Sequence, residues 1–378
     1  MSTQAYHAAR LRAARFRGSG DRRALVTGVD RATWLQGLVT NDVLALHPGH
    51  GCYAAFLTPQ GRMLADVRIL HLGDTFMLGL PGPAADALLT RLEQYIIMED
   101  VAVNDVSARL GLLSVHGPAA AAIVAGVLGP DERLRDALVS LPEHHTVLVQ
   151  GGGIADIERG AGVMGVADAV LAVASRDYGV PGFDLCTGAA RADSLDAAFS
   201  AEEVPALTED DRAALRIEAG RPVFGADLTT DTIPLEAGIE ERAISFTKGC
   251  YVGQEVVVRV RDRGHGRVAR RLVGLVARGT GDATSAIEAG DTMRRDGRDT
   301  GRVTSAAWSP ALDAWVALGY VGRDDAEGGT IVHVERASRT VALEVRPLPL
   351  VPPAPRTGAQ ARAPAPPLAD GRSPTGER

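Results

Sequence analysis

Thr247–Glu255 reads TKGCYVGQE and holds the one lysine of a chain with 40 basic residues, two positions before a cysteine. The thiolate is the reactive form of cysteine. At the unperturbed pKa only about three per cent of it is ionised at pH 7, and a neighbouring cation raises that share. The spacing therefore predicts a reactive thiol at Cys250 supported by Lys248. Lysine differs from arginine in being a compact charge that bonds in any direction and can lose its proton when desolvated. Gly249 and Gly253 flank Cys250 and Tyr251. Glycine permits left-handed backbone angles and close approach of a ligand, so a bent loop presenting Cys250 is expected. The competing expectation is a structural thiol, because free cysteine is among the most often buried residue types.

Downstream, QEVVVRVRDR alternates as a strand does, with Val256, Val258 and Val260 on one face and Arg259, Arg261 and Arg263 on the other. Followed by Arg267, Arg270 and Arg271, these arginines form a basic stretch that could hold a carboxylate, a phosphate or an RNA backbone. A solvated face balanced by nearby acids fits the same pattern equally well. The net charge of -7 argues against whole-molecule attraction to nucleic acid.

Outward from this region, 378 residues of ordinary composition suggest two or three domains. No run approaches the eighteen or so apolar residues that a membrane-spanning helix requires, and the Arg-rich start lacks the form of a signal peptide, so a cytoplasmic protein without membrane contact is expected. Cys52, Cys186 and Cys250 are too few and too scattered for a disulfide framework or a zinc site; free thiols and no intrinsic metal are expected. Gly51–Leu57, Arg62–Leu72 and Thr75–Leu80 read as strands, and Pro83–Met98 and Pro118–Leu128 as helices. Thr208–Gly220 carries an N-cap at Thr208, Asp211 three residues on, and a Gly stop. RRLVGLVA, IVHVERA and VALEVRPL, between Gly-rich turns, point to a small all-β domain. The fold class is α+β. The expected domains are 1–105, completed by 205–265, then 106–204, then a β-barrel over 266–350, with a disordered Pro/Ala-rich tail over 351–378.

KGCYVGQE resembles the signature K-G-C-[FY]-x-G-Q-E of the YgfZ-type folate-binding proteins, relatives of the glycine-cleavage T-protein. WLQGLVTNDV (Trp34–Val43), GCYAAFLTPQGRMLADVRIL (Gly51–Leu70), LRIEAGRPVFGADL (Leu215–Leu228) and TIPLEAGI (Thr232–Ile239) are similar to family blocks in the family's order. The resemblance covers most of residues 20–345. It implies a three-part T-protein-like fold of mixed α/β domains around a central folate cavity, with a C-terminal barrel. The implied cofactor is tetrahydrofolate or a derivative. The implied role is in assembling or maintaining iron-sulfur enzymes, including tRNA-modifying ones, with iron-sulfur client or assembly proteins as partners. Lys248 and Cys250 would carry the chemistry, while Asp66, Arg216, Tyr251, Gln254 and Glu255 would contact the cofactor. Arg212, one turn before Arg216, shares its helix face. DYGVPGFDL (Asp177–Leu185) departs from the T-protein motif by placing Val180 where that family has a pterin-holding Glu, which counts against aminomethyl transfer. A folate-dependent one-carbon transferase, with Asp66 orienting or deprotonating a folate nitrogen, is the alternative.

Overall fold

In the computed structural model the described residues are 4–355 apart from 19, 130, 152, 156–167, 265, 279–286 and 337–338. The chain opens with α1 (Gln4–Leu11), β1 (Ala14–Arg17), β2 (Arg22–Thr27), α2 (Arg31–Leu38), β3 (Gly51–Leu57), β4 (Met63–His71), β5 (Phe76–Leu80), α3 (Gly82–Gln94) and β6 (Ala102–Asp105). It continues through β7 (Leu110–His116), α4 (Ala120–Leu128), α5 (Glu132–Ser140), β8 (Thr146–Gln150), β9 (Gly153–Ala155), β10 (Val170–Ser175), β11 (Gly182–Gly188) and α6 (Ala189–Ala201). Then come α7 (Glu209–Glu218), α8 (Pro234–Ala237), α9 (Glu240–Ala243) and α10 (Gln254–Val258), and the strands β12 (Arg270–Arg278), β13 (Thr292–Arg295), β14 (Arg298–Ser309), β15 (Ala314–Gly322), β16 (Ile331–Arg336) and β17 (Arg339–Arg346).

Three sheets result. One runs β3-β4-β5-β2-β6, a second β1-β7-β11-β10-β8-β9, and the last six strands close into a barrel. The α+β class and the C-terminal barrel are as expected. β1 joins the second sheet by pairing with β7 (Ala14↔His116), so the first strand of the chain lies apart from the strand that follows it.

Period-2 alternation decides how the two open sheets meet. Along β4, Met63, Ala65, Val67 and Ile69 are fully buried, and Ala65, Val67 and Ile69 join the core packed by Leu35 of α2 and Leu88 and Leu92 of α3. Burying each such Leu or Ile contributes about 1.5–3 kcal/mol. The alternate residues Asp66, Arg68 and Leu70 face the other way, toward the second sheet. That sheet covers its outer face with α4, α5 and α6 through Leu113, Val124, Leu138 and Phe199. Its inner face meets the first sheet at Leu70, Met77, Leu171, Val173 and Cys186. Leu70, Met77, Val173 and Cys186 of this apolar seam and Arg212 and Arg216 of α7 line one space between the sheets.

α7 forms as its sequence indicated. The Thr208 hydroxyl accepts from the Asp211 N–H, the Asp211 carboxylate accepts from the Thr208 N–H, and Glu209, Asp210 and Asp211 face the positive end of the helix dipole. Two expectations are corrected. The helix expected over 83–98 ends at Gln94; Tyr95 and Ile96 still pack on the core, but Ile97 and Met98 are exposed. The strand expected over QEVVVRVRDR is α10 followed by a π-helical turn, Arg259–Arg263. Only Val257 is buried, with Val260 packed beside it, so burial here follows a helical step of three, and no neighbouring strand pairs with the segment. The disordered-tail expectation falls, from residue 356 on, outside the described residues.

Candidate functional site

Between the two open sheets lies a cavity of about 460 Å³, within the range of pockets that hold small molecules. β4 supplies Asp66 and Arg68, β7 and β11 supply Ser114 and Asp184, and α7 supplies Arg212 and Arg216. Asp21, Tyr53, Asp177, Tyr178, Arg221 and Arg242 are among the other polar residues of the wall; Phe16, Leu70, Met77, Leu112 and Phe224 provide apolar surface.

Asp66 is the cavity carboxylate with unused capacity; Arg242, also in the wall, keeps a buried Nε without a partner. Its Oδ2 accepts a 2.9 Å hydrogen bond from the Tyr53 hydroxyl, while its Oδ1 is shielded from solvent and accepts from no neighbouring residue. Burial pushes its carboxyl up to about 6, against the Tyr53 hydrogen bond; Asp21 and Asp177, also facing it, add to the rise. A carboxyl of this kind can accept a hydrogen bond from a bound ring nitrogen and hold a proton near neutral pH.

Arg68, Asp177, Asp184 and Ser114 are already paired with one another. Arg68 bridges two carboxylates at 2.5 Å each, Asp177 and Asp184, and the Ser114 hydroxyl donates to Asp184 at 2.6 Å. Burial raises Asp177, but the Arg68 and Arg242 guanidiniums outweigh it and hold its carboxyl below the usual carboxylate range. Asp184 is held well below the usual carboxylate range by Arg68, His116 and Ser114 in spite of its burial. His144 is pushed down to about 3 by burial and by Arg68, which keeps its imidazole neutral. Asp177, Asp184 and Arg68 are residues that sequence reasoning missed as a group. Asp177 and Asp184 bracket the departing motif DYGVPGFDL, and Arg68 lies two residues after Asp66 on the same strand face, which is the signal that could have found them. Val180, in that motif, is fully buried.

The expected site residues fall in two places. Asp66 and Arg216 line the cavity; Lys248, Cys250, Tyr251, Gln254 and Glu255 do not. Arg216 is largely committed: its guanidinium donates to Asp227 at 2.6 Å, to the Arg221 carbonyl at 2.9 Å and to the Ser305 hydroxyl of β14 at 2.7 Å, tying α7 to the barrel. Arg212, by contrast, stacks 4.8 Å over the Phe16 ring and pairs with Glu209, a surface acid.

Lys248 answers the question that its uniqueness raised. Its ammonium is buried and donates to the backbone carbonyls of Gln36 (2.6 Å), Val39 (2.6 Å) and Asn41 (2.9 Å), the first in the last turn of α2 and the others just beyond it. Three carbonyls converging on one point suit a compact ammonium and not a planar fork, and a cation is stabilised at the negative end of a helix. Burial lowers its pKa to about 8, opposed by Asp42 and Cys52. The thiol that feels this charge is therefore that of Cys52, itself pushed up to about 12 by burial.

Cys250 is exposed, as the bent-loop reading expected. Gly249 meets nothing that a Cβ would touch, whereas Gly253 has φ +85° and a Cβ there would lie 2.5 Å from the Thr58 carbonyl oxygen, so the turn closes against the β3–β4 hairpin. Tyr251 is buried in the neighbouring core, with the Lys248 ammonium 5.1 Å from its ring centre. Gln254 and Glu255 begin α10, and Glu255 is exposed. Farther along, Arg259 and Arg263 are exposed, and Arg261 lies 4.1 Å over the half-exposed Phe246 ring while pairing with Asp262. Among the described residues no group of His, Cys, Asp and Glu side chains is arranged to hold a metal ion, and no helix is long and apolar enough to cross a membrane.

Two facing α/β sheets around a central cavity, completed by a closed barrel, define the class of architecture. The family models agree at both ends. The GCVT N-terminal domain matches residues 2–140 and the glycine cleavage T-protein C-terminal barrel domain matches residues 270–352. The chain belongs to the T-protein-like family. It is 29% identical over 329 residues to the aminomethyltransferase of Bacillus subtilis (strain 168), covering 85% of this chain and 82% of the relative. It is 28% identical over 333 residues to the tRNA-modifying protein YgfZ of Enterobacter sp. (strain 638), covering 86% and 90%. The crystal structure of the glycine cleavage system aminomethyltransferase T from Bartonella henselae superposes with a TM-score of 0.79 at 24% identity, covering 93% of this chain and 89% of that one, which establishes the shared fold.

Proposed function

We propose that this protein binds tetrahydrofolate or a derivative in the central cavity and acts as an accessory factor for iron-sulfur cluster assembly or repair, supporting iron-sulfur enzymes including tRNA-modifying ones. The observation that carries the folate reading is the solvent-shielded, unpartnered Oδ1 of Asp66 in a cavity with both apolar and arginine-rich walls. The group fits: a flat heteroaromatic ring with N–H donors suits Asp66 and the apolar surface, and an anionic tail suits arginine. When bound, tetrahydrofolate supplies ring nitrogens that can carry a one-carbon unit. Asp66 accepts the N–H of such a nitrogen, with Tyr53 fixing its carboxylate. Of the two arginines on α7, Arg212 is the better placed for the tail, because Arg216 is already held by Asp227 and Ser305.

The iron-sulfur part rests on the signature loop. It presents Cys250 to solvent outside the cavity wall, a location suited to meeting a partner protein rather than a bound pterin. The similarity to a tRNA-modifying protein YgfZ supports the same reading. The exposed Arg259 and Arg263 leave room for RNA contact, now from a helical turn.

The second reading is aminomethyl or one-carbon transfer, favoured by a cavity carboxyl whose pKa lies near neutrality. Two variants separate the readings. Asp66→Asn should weaken tetrahydrofolate binding at least tenfold in calorimetric titration. Cys250→Ala should leave that affinity intact while lowering iron-sulfur enzyme activity in cells whose own copy is deleted. Full iron-sulfur activity with Cys250→Ala, together with tetrahydrofolate-dependent transfer in vitro, would establish the transferase instead.

A further inference from the structure

The cavity and the signature loop are joined by a short path of hydrogen bonds. The Lys248 ammonium holds the Asn41 carbonyl at 2.9 Å. The Asn41 amide then donates to two backbone carbonyls in the cavity wall, those of Tyr53 (2.8 Å) and Arg242 (3.1 Å). The Tyr53 hydroxyl reaches Asp66 at 2.9 Å, and the Arg242 guanidinium lies 4.8 Å over the Tyr53 ring. The same short segment is stitched to its neighbours on either side. The Thr40 hydroxyl donates to the Ala243 carbonyl at 2.6 Å and accepts from the Ala55 N–H at 2.8 Å, and the Ser245 N–H donates to the Thr40 carbonyl at 3.0 Å.

We propose that Lys248 is a positioning residue for the cavity: by gathering the carbonyls of Gln36, Val39 and Asn41 it fixes the strands that aim Tyr53 at Asp66, making the Cys250 loop and the ligand-binding carboxylate one mechanical unit. The segment it gathers leaves the end of α2 and enters the turns that precede β3, with only the isolated Val39↔Phe56 bridge for strand pairing, so without the ammonium three carbonyls would be left without their shared donor. The chemistry asked of Lys248 is steric as well as electrostatic, since the three acceptors converge on one atom. Charge alone, carried by a guanidinium, should not replace it. This inference rests on the reading that Asp66 meets the ligand, and it has a readout that does not need the ligand.

The test is a double-mutant cycle on the full chain with tetrahydrofolate as the probe. Lys248→Met and Tyr53→Phe should each weaken binding about five- to tenfold, and the double variant should be little worse than either, because residues in one network are non-additive. Lys248→Arg should not rescue. In ligand-free protein with 13C-labelled aspartate, the Asp66 carboxyl midpoint should move up by at least about half a unit in Lys248→Met, as it does in Tyr53→Phe, because both weaken the hydrogen bond that favours the carboxylate. Asn41→Ala, which keeps the carbonyls around Lys248 and removes the two wall contacts together with the bond that the Asn41 side chain accepts from the Asp42 N–H, should reproduce both effects should Lys248→Met fail to fold. Additive losses in the cycle, or an unmoved Asp66 midpoint in folded Lys248→Met or Asn41→Ala protein, would overturn the proposal. Unchanged binding in Asp66→Asn would overturn the folate reading instead, and the ligand-free titration would still decide the role of Lys248.

Discussion

Replacing Asp66 by Asn should stabilise the folded protein, and the gain should depend on pH. The folded carboxyl has its pKa raised from 3.8 to about 6, chiefly by burial. Between those values the folded state holds a proton that the unfolded chain has released. The stability contributed by the protonated acid is therefore fully present below the unfolded pKa and is lost as pH rises through about 6. Two units correspond to about 2.7 kcal/mol. Water entering an open cavity screens the charge, and the Asn amide must find its own partner beside Tyr53, so about 1–2 kcal/mol is the expected gain at pH 8. At pH 4 the variant and the parent should be nearly equal. Urea unfolding at pH 4, 6 and 8 measures the difference directly. A stability change that stays constant across that range, or a variant less stable at pH 8, would show that Asp66 is not a desolvated carboxyl, and the argument that it awaits a ligand would fall with it. The expected pattern is that of a binding group kept at a cost to the fold.

Three further outcomes follow from the same geometry. Arg68→Met leaves Asp177 and Asp184 without their shared cation and should cost about 3–5 kcal/mol at pH 7 in chemical denaturation; a loss under 1 kcal/mol would mean that the pairs are solvated. Gly253→Ala forces a side chain into a left-handed position against the Thr58 carbonyl and should destabilise by about 1–3 kcal/mol in thermal or urea unfolding, whereas Gly249→Ala should change little. Iodoacetamide at pH 8 should add one label, at Cys250, to the native protein and three after denaturation, because burial holds the Cys52 and Cys186 thiols up to about 12 and about 11; native labelling at Cys52 would contradict the packing, as read by peptide mass spectrometry.

Much of this architecture is written in local pattern. The alternation of GRMLADVRIL places a carboxylate on the face opposite Val67 and Ile69, and that face proved to be the cavity wall. Thr208 and Asp211 cap α7 as their spacing indicates. What local pattern could not convey is direction within a loop. Lys248 and Cys250 are two residues apart, yet one side chain turns inward to carbonyls near residue 40 and the other outward to solvent. The partner of Lys248 was present in the sequence as WLQGLVTNDV, but nothing in a single chain says that two such blocks touch. In QEVVVRVRDR, β-branched residues at alternate positions favour a strand only where a neighbouring strand exists to pair with; none does here, and the segment closes its own hydrogen bonds as a helix instead. The ion pairs of Arg68 join β4 to residues more than a hundred positions away, a separation that periodicity cannot span.

The pocket draws its lining from stretches near residues 16–23, 53–83, 112–114, 173–186 and 209–242. No contiguous fragment owns a complete recognition surface. Half-molecules produced separately should be blind to the ligand, and occupancy should slow amide exchange on both sheets together, because opening either one dissolves the binding site.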